Sequence, residues 1–125
     1  MAVKWLDKPE DHDYAAAADY LSLVAESDAV DKTVSALKKA PPVTRKAKDI
    51  LRAAGLPLLA ETNAHVRADL FKISGGKKLS PILLVRGDAR SGAPLQIADG
   101  YHRVCASYHT DENTDIPVVI AGRLQ

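Results

Sequence analysis

Cysteine is nearly absent from this chain. Cys105 stands alone in 125 residues, which excludes an internal disulfide framework and a four-cysteine zinc site and makes a cytosolic setting the default. Aromatic residues are scarce as well: one Trp, one Phe and four Tyr are too few for a stacking platform that holds single-stranded nucleic acid. Net charge is close to missing, at +1 from 17 basic and 16 acidic residues, so a general electrostatic pull toward polyanions or membrane surfaces is lacking. No apolar run approaches the ~20 residues of a membrane span, and no signal-type hydrophobic region is visible near Met1. What the chain does have is 46% hydrophobic residues, enough for the packed core of one domain.

The flat total charge hides a division. Residues 1–31 carry two lysines against eight acids, a net −6, and residues 32–52 carry seven bases against Asp49, a net +6. One reading is a pair of helices whose exposed faces attract each other weakly. The other is a basic patch from Lys38 to Arg52 that meets phosphate or an acidic partner.

Hydrophobic spacing predicts three helices in the first 55 residues. Tyr14, Ala17, Ala18, Leu21, Val24 and Ala25 recur at helical intervals. Val30, Val34 and Leu37 repeat behind Asp28, a predicted N-cap, and Pro41-Pro42 stops that helix. Thr44 is the predicted cap of a third helix with Ala47, Ile50, Leu51 and Ala54 inward, closed by Gly55. Farther on, Leu56 to Ala60 is short enough for a strand, and Asn63 caps a predicted helix carrying Val66, Leu70 and Ile73 up to Gly75-Gly76. The continuous run Ile82 to Val85 predicts a strand buried on both faces. A polar loop over 86–94 follows, whose Arg-Gly-Asp is a chance match. Leu95 to Ala98 and Ile116 to Ala121 are further strands, with a helix from Val104 to Thr110 between them. The expected fold is α+β, with a small mixed sheet in residues 46–125 and an N-terminal helical region, 1–45, packed on it.

The chemistry concentrates in Asp99-Gly100-Tyr101-His102-Arg103. An apolar strand runs into Asp-Gly, turns, and becomes a helix that opens with Tyr, His and Arg. Free N–H groups at a helix start attract anions, and His102 and Arg103 add side-chain donors beside them. Asp99 has the chemistry to act as a base or to bind a hydroxyl or magnesium ion. The plainer alternative is that Asp99 caps the helix, His102 packs half-buried and Arg103 pairs with an acid. Gly75-Gly76-Lys77-Lys78 reads first as a helix end with cations set favourably against the dipole, and second as a flexible lid whose lysines reach over bound phosphates. His102, Cys105 and His109 fall at helical spacing, but three ligands on one helix rarely converge and no second cluster accompanies them, with His12 and His65 isolated. No zinc is expected.

The Asp-Gly-Tyr-His-Arg turn, with Ala54-Gly55-Leu56, Leu79-Ser80-Pro81-Ile82 and a closing Ile-Pro-Val-Val, resembles the ParB/sulfiredoxin superfamily over residues 47–121. That superfamily includes chromosome-partitioning ParB N-terminal domains, sulfiredoxins and ADP-dependent free-serine kinases. The kinases are similar in carrying Asp-Gly-His-His-Arg, so Asp99, Gly100, His102 and Arg103 match while Tyr101 replaces a His. The resemblance implies a nucleotide (ATP, ADP or CTP) with Mg²⁺, bound by Gly100, Tyr101, His102 and Arg103 with help from Lys77 and Lys78. It also implies phosphotransfer or nucleoside-triphosphate hydrolysis served by Asp99, His102 and Arg103. Tyr101 stands where sulfiredoxins carry their catalytic cysteine, so that activity is not expected. ParB has Gly-Glu-Arg-Arg at the turn and a DNA-binding helical domain after it, so DNA is not an expected partner. The alternatives are a non-enzymatic module that binds a protein or a second copy through its N-terminal helices, and a small DNA-binding or nuclease accessory protein.

Overall fold

The structure, a computed structural model, describes residues 2–124. Its centre is β4 (Ile82–Val85), all four residues of which are buried. Side chains alternate across a strand, so Ile82 and Leu84 enter one core while Leu83 and Val85 enter another. β6 (Asp115–Ala121) runs parallel to β4, pairing Ile82 with Val118 and Val85 with Ala121. β5 (Gln96–Asp99) lies antiparallel on the other side of β4, and β2 (Val43–Lys46) antiparallel on the outer edge of β6. The sheet order is therefore β2-β6-β4-β5. A separate parallel pair joins β1 (Lys4–Trp5) to β3 (Lys78–Leu79).

Helices cover both faces of the four-stranded sheet, as its doubly buried central strand requires. On one face, α3 (Ala47–Ala54), α4 (Ala64–Ser74) and α5 (Tyr101–Thr110) supply Ile50, Leu51, Val66, Ile73, Val104 and Cys105 to the core of Ile82, Leu84 and Val118. On the other face, α1 (Asp11–Leu21) and α2 (Ser27–Lys39) set Ala17, Leu21, Val30 and Leu37 against Leu83, Val85, Ala98 and Val119. Truncating any of these large buried side chains to Ala costs about 2–5 kcal/mol. The fold is mixed α+β. Among the described residues no helix is long and apolar enough to cross a membrane.

Several local expectations need correction. Asp28 lies inside the first turn of α2, whose cap position is Glu26. Thr44 caps nothing: it sits in β2, where Val43–Lys46 pairs with Asp115–Val118 before α3 begins. That strand has three exposed residues in four and no alternation to betray it. Leu56 to Ala60 forms no strand, because the Pro57 and Leu59 carbonyls are taken by the Tyr101 hydroxyl and the His109 ring rather than by a ladder. α1 starts three residues before Tyr14, where Glu10 and Asp13 form a reciprocal capping box. α5 opens at Tyr101, as expected of the Asp-Gly-Tyr-His-Arg turn and ahead of the Val104 start of the hydrophobic pattern. Gly55 (φ 65°) and Asn63, whose side chain accepts from the His65 and Val66 N–H groups, end α3 and start α4 as expected.

The two oppositely charged N-terminal segments form no ion pair with each other among the described residues. The bases of 32–52 form ion pairs with Asp115 (from Lys46) and Asp49 (from Arg52), while the Lys38 ammonium meets residues 1–31 at an uncharged group, 5.8 Å over the Tyr14 ring.

Two glycines are under real steric demand: Gly87, where a Cβ would collide with the Ala93 carbonyl oxygen, and the turn glycine Gly100. The φ of Gly100 is 111°, and a Cβ there would stand 2.5 Å from Ile82 Cδ1 and 2.9 Å from Arg103 Nη2. Gly55 has φ 65° but nothing within 4 Å of its Cβ position. Gly100→Ala is therefore expected to cost about 2–4 kcal/mol, from backbone strain plus overpacking. Gly55→Ala should cost about 1 kcal/mol, from backbone strain alone. Urea unfolding of the two variants checks this, and equal losses would refute the steric argument.

Candidate functional site

The site is built where β5 turns into α5. Gly100 occupies the cap position and brings no side chain to cap the helix. The first intrahelical bond runs from Val104 N to Gly100 O at 3.0 Å, so the N–H groups of Tyr101, His102 and Arg103 precede the helical ladder. The start of α4 differs, since Asn63 Oδ1 already accepts from His65 N at 3.0 Å and Val66 N at 3.1 Å.

Arg103 folds back across the turn. Its Nη2 donates to Asp99 Oδ2 at 3.0 Å and to the Pro81 carbonyl at 3.3 Å, while its Nη1 lies 3.9 Å from Asp13 Oδ1. Its Nε is buried with no hydrogen-bond partner. Asp13, in the first turn of α1, is 3% exposed and accepts from the Glu10 N–H at 2.8 Å through Oδ2. Burial pushes the Asp99 carboxyl up from the usual carboxylate range and the charge of Asp13 adds to that, against the opposing pull of Arg103. Two acids from distant parts of the chain thus share one guanidinium.

A cleft opens beside this cluster in two lobes. The first, ≈ 260 Å³, is lined by His65, Asp69 and Lys72 of α4 facing Asp99, Gly100, His102 and Arg103. The second, ≈ 250 Å³, lies between Glu10, His12 and Asp13 on one side and Lys77, Lys78 and Ser80 on the other. Asp69, Lys72 and Arg103 border both. Burial raises the pKa of Asp69, with Lys72 (4.0 Å away) and Arg103 opposing. Burial lowers that of His102, helped by the nearby His65, whose ring centroid is 4.7 Å from its own.

Of the residues singled out in the sequence, Asp99, Gly100, His102, Arg103, Lys77 and Lys78 all border this cleft. Tyr101 does not: its hydroxyl donates to the Pro57 carbonyl, on the loop that connects α3 to α4. Lys78 is held in β3, paired with Lys4, which leaves its backbone little freedom to act as a lid. His102, Cys105 and His109 do not converge. Cys105 is buried, with burial pushing its thiol pKa up, and His109 Nε2 lies 2.7 Å from the Leu59 carbonyl. His12 and His65 are not isolated, however. His65 meets His102, and Glu10, His12 and Asp13 bring ligand-type atoms within 4.8 Å of one another. That second group sits at the positive end of α1 with Arg103 against Asp13, an unfavourable setting for a cation. A wider depression of ≈ 430 Å³ along the 86–94 loop has its Asp88 and Arg123 already paired at 3.0 Å.

Sequence reasoning missed Asp13, Asp69 and Lys72. The Glu10/Asp13 spacing is a helix-start signal that would have placed Asp13 in a first turn, but nothing local reveals its partner 90 residues later. Comparisons with protein-family models, with curated proteins and with solved structures each find no match to this chain.

Removing the guanidinium leaves Asp13 and Asp99 facing each other without a counter-charge. Arg103→Met should lose about 3–5 kcal/mol of stability at pH 7. The sign with pH follows from the raised pKa of Asp99: a protonated carboxyl relieves the repulsion, so stability is gained below that pKa and lost as pH rises through it. The gap between wild type and variant, measured by denaturant unfolding, should therefore shrink as the pH falls from about 7 to about 4. A gap that widens on acidification would contradict the shared-charge account.

Proposed function

We propose that this protein binds a nucleotide through its phosphates in the cleft at the start of α5. One observation carries this reading: Gly100 leaves the N–H groups of Tyr101–Arg103 uncapped beside a cleft that also gathers Arg103, Lys72, Lys77 and Lys78. A helix start and several cations on one cleft are the donors a phosphate chain requires. The unpartnered Nε of Arg103 supports the same reading, because a buried donor gains from an incoming acceptor. The resemblance of the Asp99–Arg103 turn to the nucleotide-binding turn of the ParB/sulfiredoxin superfamily points the same way.

A resident magnesium ion fits poorly. Asp99 Oδ2 is committed to Arg103 at 3.0 Å, and the carboxyl is harder to ionise than usual because it is buried. In this proposal the ion is therefore the one that a nucleotide carries on its own phosphates. Phosphotransfer or nucleoside-triphosphate hydrolysis is the chemistry these groups suit. Arg103 and His102 would offset charge on a transferring phosphoryl group, and Asp99 would position Arg103. Asp99 then acts through the arginine rather than on substrate.

The exposed Leu23 (83%), Val24 (50%) and Tyr20 (38%) near the end of α1 favour a second reading, a module that associates with another copy through its N-terminal helices. A concentration-independent monomer in light scattering removes that reading.

Isothermal titration with Mg–ATP, Mg–ADP and Mg–CTP tests the first. At least one should bind, and Arg103→Ala should weaken it by about tenfold or more. Arg103→Lys should recover only part of that loss, since an ammonium lacks the guanidinium fork. No heat from any of the three at millimolar concentration would sink the proposal.

A further inference from the structure

His65 lies outside the Asp99–Arg103 turn, yet its ring centroid is 4.7 Å from that of His102, with the planes tilted by 44°. The two imidazoles come from the first turns of different helices, α4 and α5, and both line the ≈ 260 Å³ lobe. The charged groups facing the pair are Asp69 and Lys72 from α4, Asp99 from the end of β5 and Arg103 from α5. These neighbours are already matched in twos, Arg103 with Asp99 at 3.0 Å and Lys72 with Asp69 at 4.0 Å. The Tyr101 ring also neighbours His102, at 5.7 Å, but its hydroxyl is turned to the Pro57 carbonyl. The two imidazoles of this lobe are thus its uncommitted source of additional positive charge.

Two imidazolium ions in contact repel each other, and an anion between them removes that cost. We infer that His65 and His102 form a proton-coupled clamp for a phosphate-type dianion, the pair taking up a proton as the anion enters the cleft. This rests on the phosphate reading of the same cleft and adds to it a second imidazole and a dependence on pH. In the free protein, burial, His65 and Arg103 together outweigh Asp69 and hold the His102 pKa below the ordinary imidazole range, which favours the neutral ring. An anion beside the ring stabilises the imidazolium. Linkage then requires tighter anion binding as the pH falls, by at most about tenfold per pH unit for one proton.

Sulfate is the suitable probe, since it keeps two negative charges across about pH 5 to 8 and adds no titration of its own. Proton NMR of the full chain follows the Cε1–H signals of both histidines with and without sulfate. Saturating sulfate should raise the apparent pKa of His102 by about one unit. Sulfate affinity should fall by about five- to tenfold in all as the pH rises from about 5.5 to 7.5. His65→Ala should weaken binding by about three- to tenfold at pH 6 and leave it unchanged at pH 8. A purely structural role for His65 would weaken binding at both. If Mg–ATP binds while sulfate shifts neither histidine, or if sulfate affinity is flat with pH, the clamp is overturned and the phosphate reading stands. If neither sulfate nor Mg–ATP binds at any pH, both fall together.

Discussion

Arg103 connects parts of the chain that no local pattern joins. Its guanidinium donates to Asp99 at the end of β5 and to the carbonyl that precedes β4, and it lies 3.9 Å from Asp13 at the start of α1. A guanidinium with 17% exposed side chain must have anionic or carbonyl partners, and here they come from both sides of the sheet's edge. The same residue then fixes the shape of the turn. With Ile82 against residue 100 and Arg103 folded back over it, a Cβ is not tolerated there, and because residue 100 is glycine, the start of α5 keeps its N–H groups free. The buried cation and the uncapped amides thus lie together at one turn, beside a cleft whose four carboxylates are balanced by four cations.

The N-terminal helices take on a different meaning in this light. α1 and α2 cover one face of the sheet with Ala17, Leu21, Val30 and Leu37, which is structural work. The first turn of α1, however, also places Glu10, His12 and Asp13 along the second lobe of the cleft. α1 therefore serves the cleft as well as the core. The charge split between residues 1–31 and 32–52 does not explain the packing, since the bases of the second segment pair elsewhere.

What was legible in the sequence followed from short-range physics. The apolar run Ile82–Val85 could only be a strand covered on both faces, and it feeds both cores. Gly55 and Asn63 end and start helices through backbone conformation and a side-chain cap, both properties of a few adjacent residues. The Asp99–Arg103 turn was legible for the same reason. β2 was not, because Val43–Lys46 becomes a strand only by pairing with β6, over 70 residues away. Nor was the apolar segment after Gly55, whose carbonyls are satisfied by side chains of α5. The site divides along the same line. Its α5 half is local, whereas Asp13, His65, Asp69 and Lys72 join it through tertiary packing, and Tyr101, adjacent in sequence, is turned away.

The central claim is that the uncapped start of α5 and the cations around it receive the phosphates of a nucleotide. The most direct measurement is a crystal structure of the full chain grown with Mg²⁺ and a non-hydrolysable ATP analogue. The account predicts phosphate oxygens within hydrogen-bonding distance of the His102 and Arg103 backbone N–H groups, with Lys72 and the Arg103 guanidinium against the same phosphates. Nucleotide density elsewhere on the surface, with the Asp99–Arg103 turn empty, would contradict it.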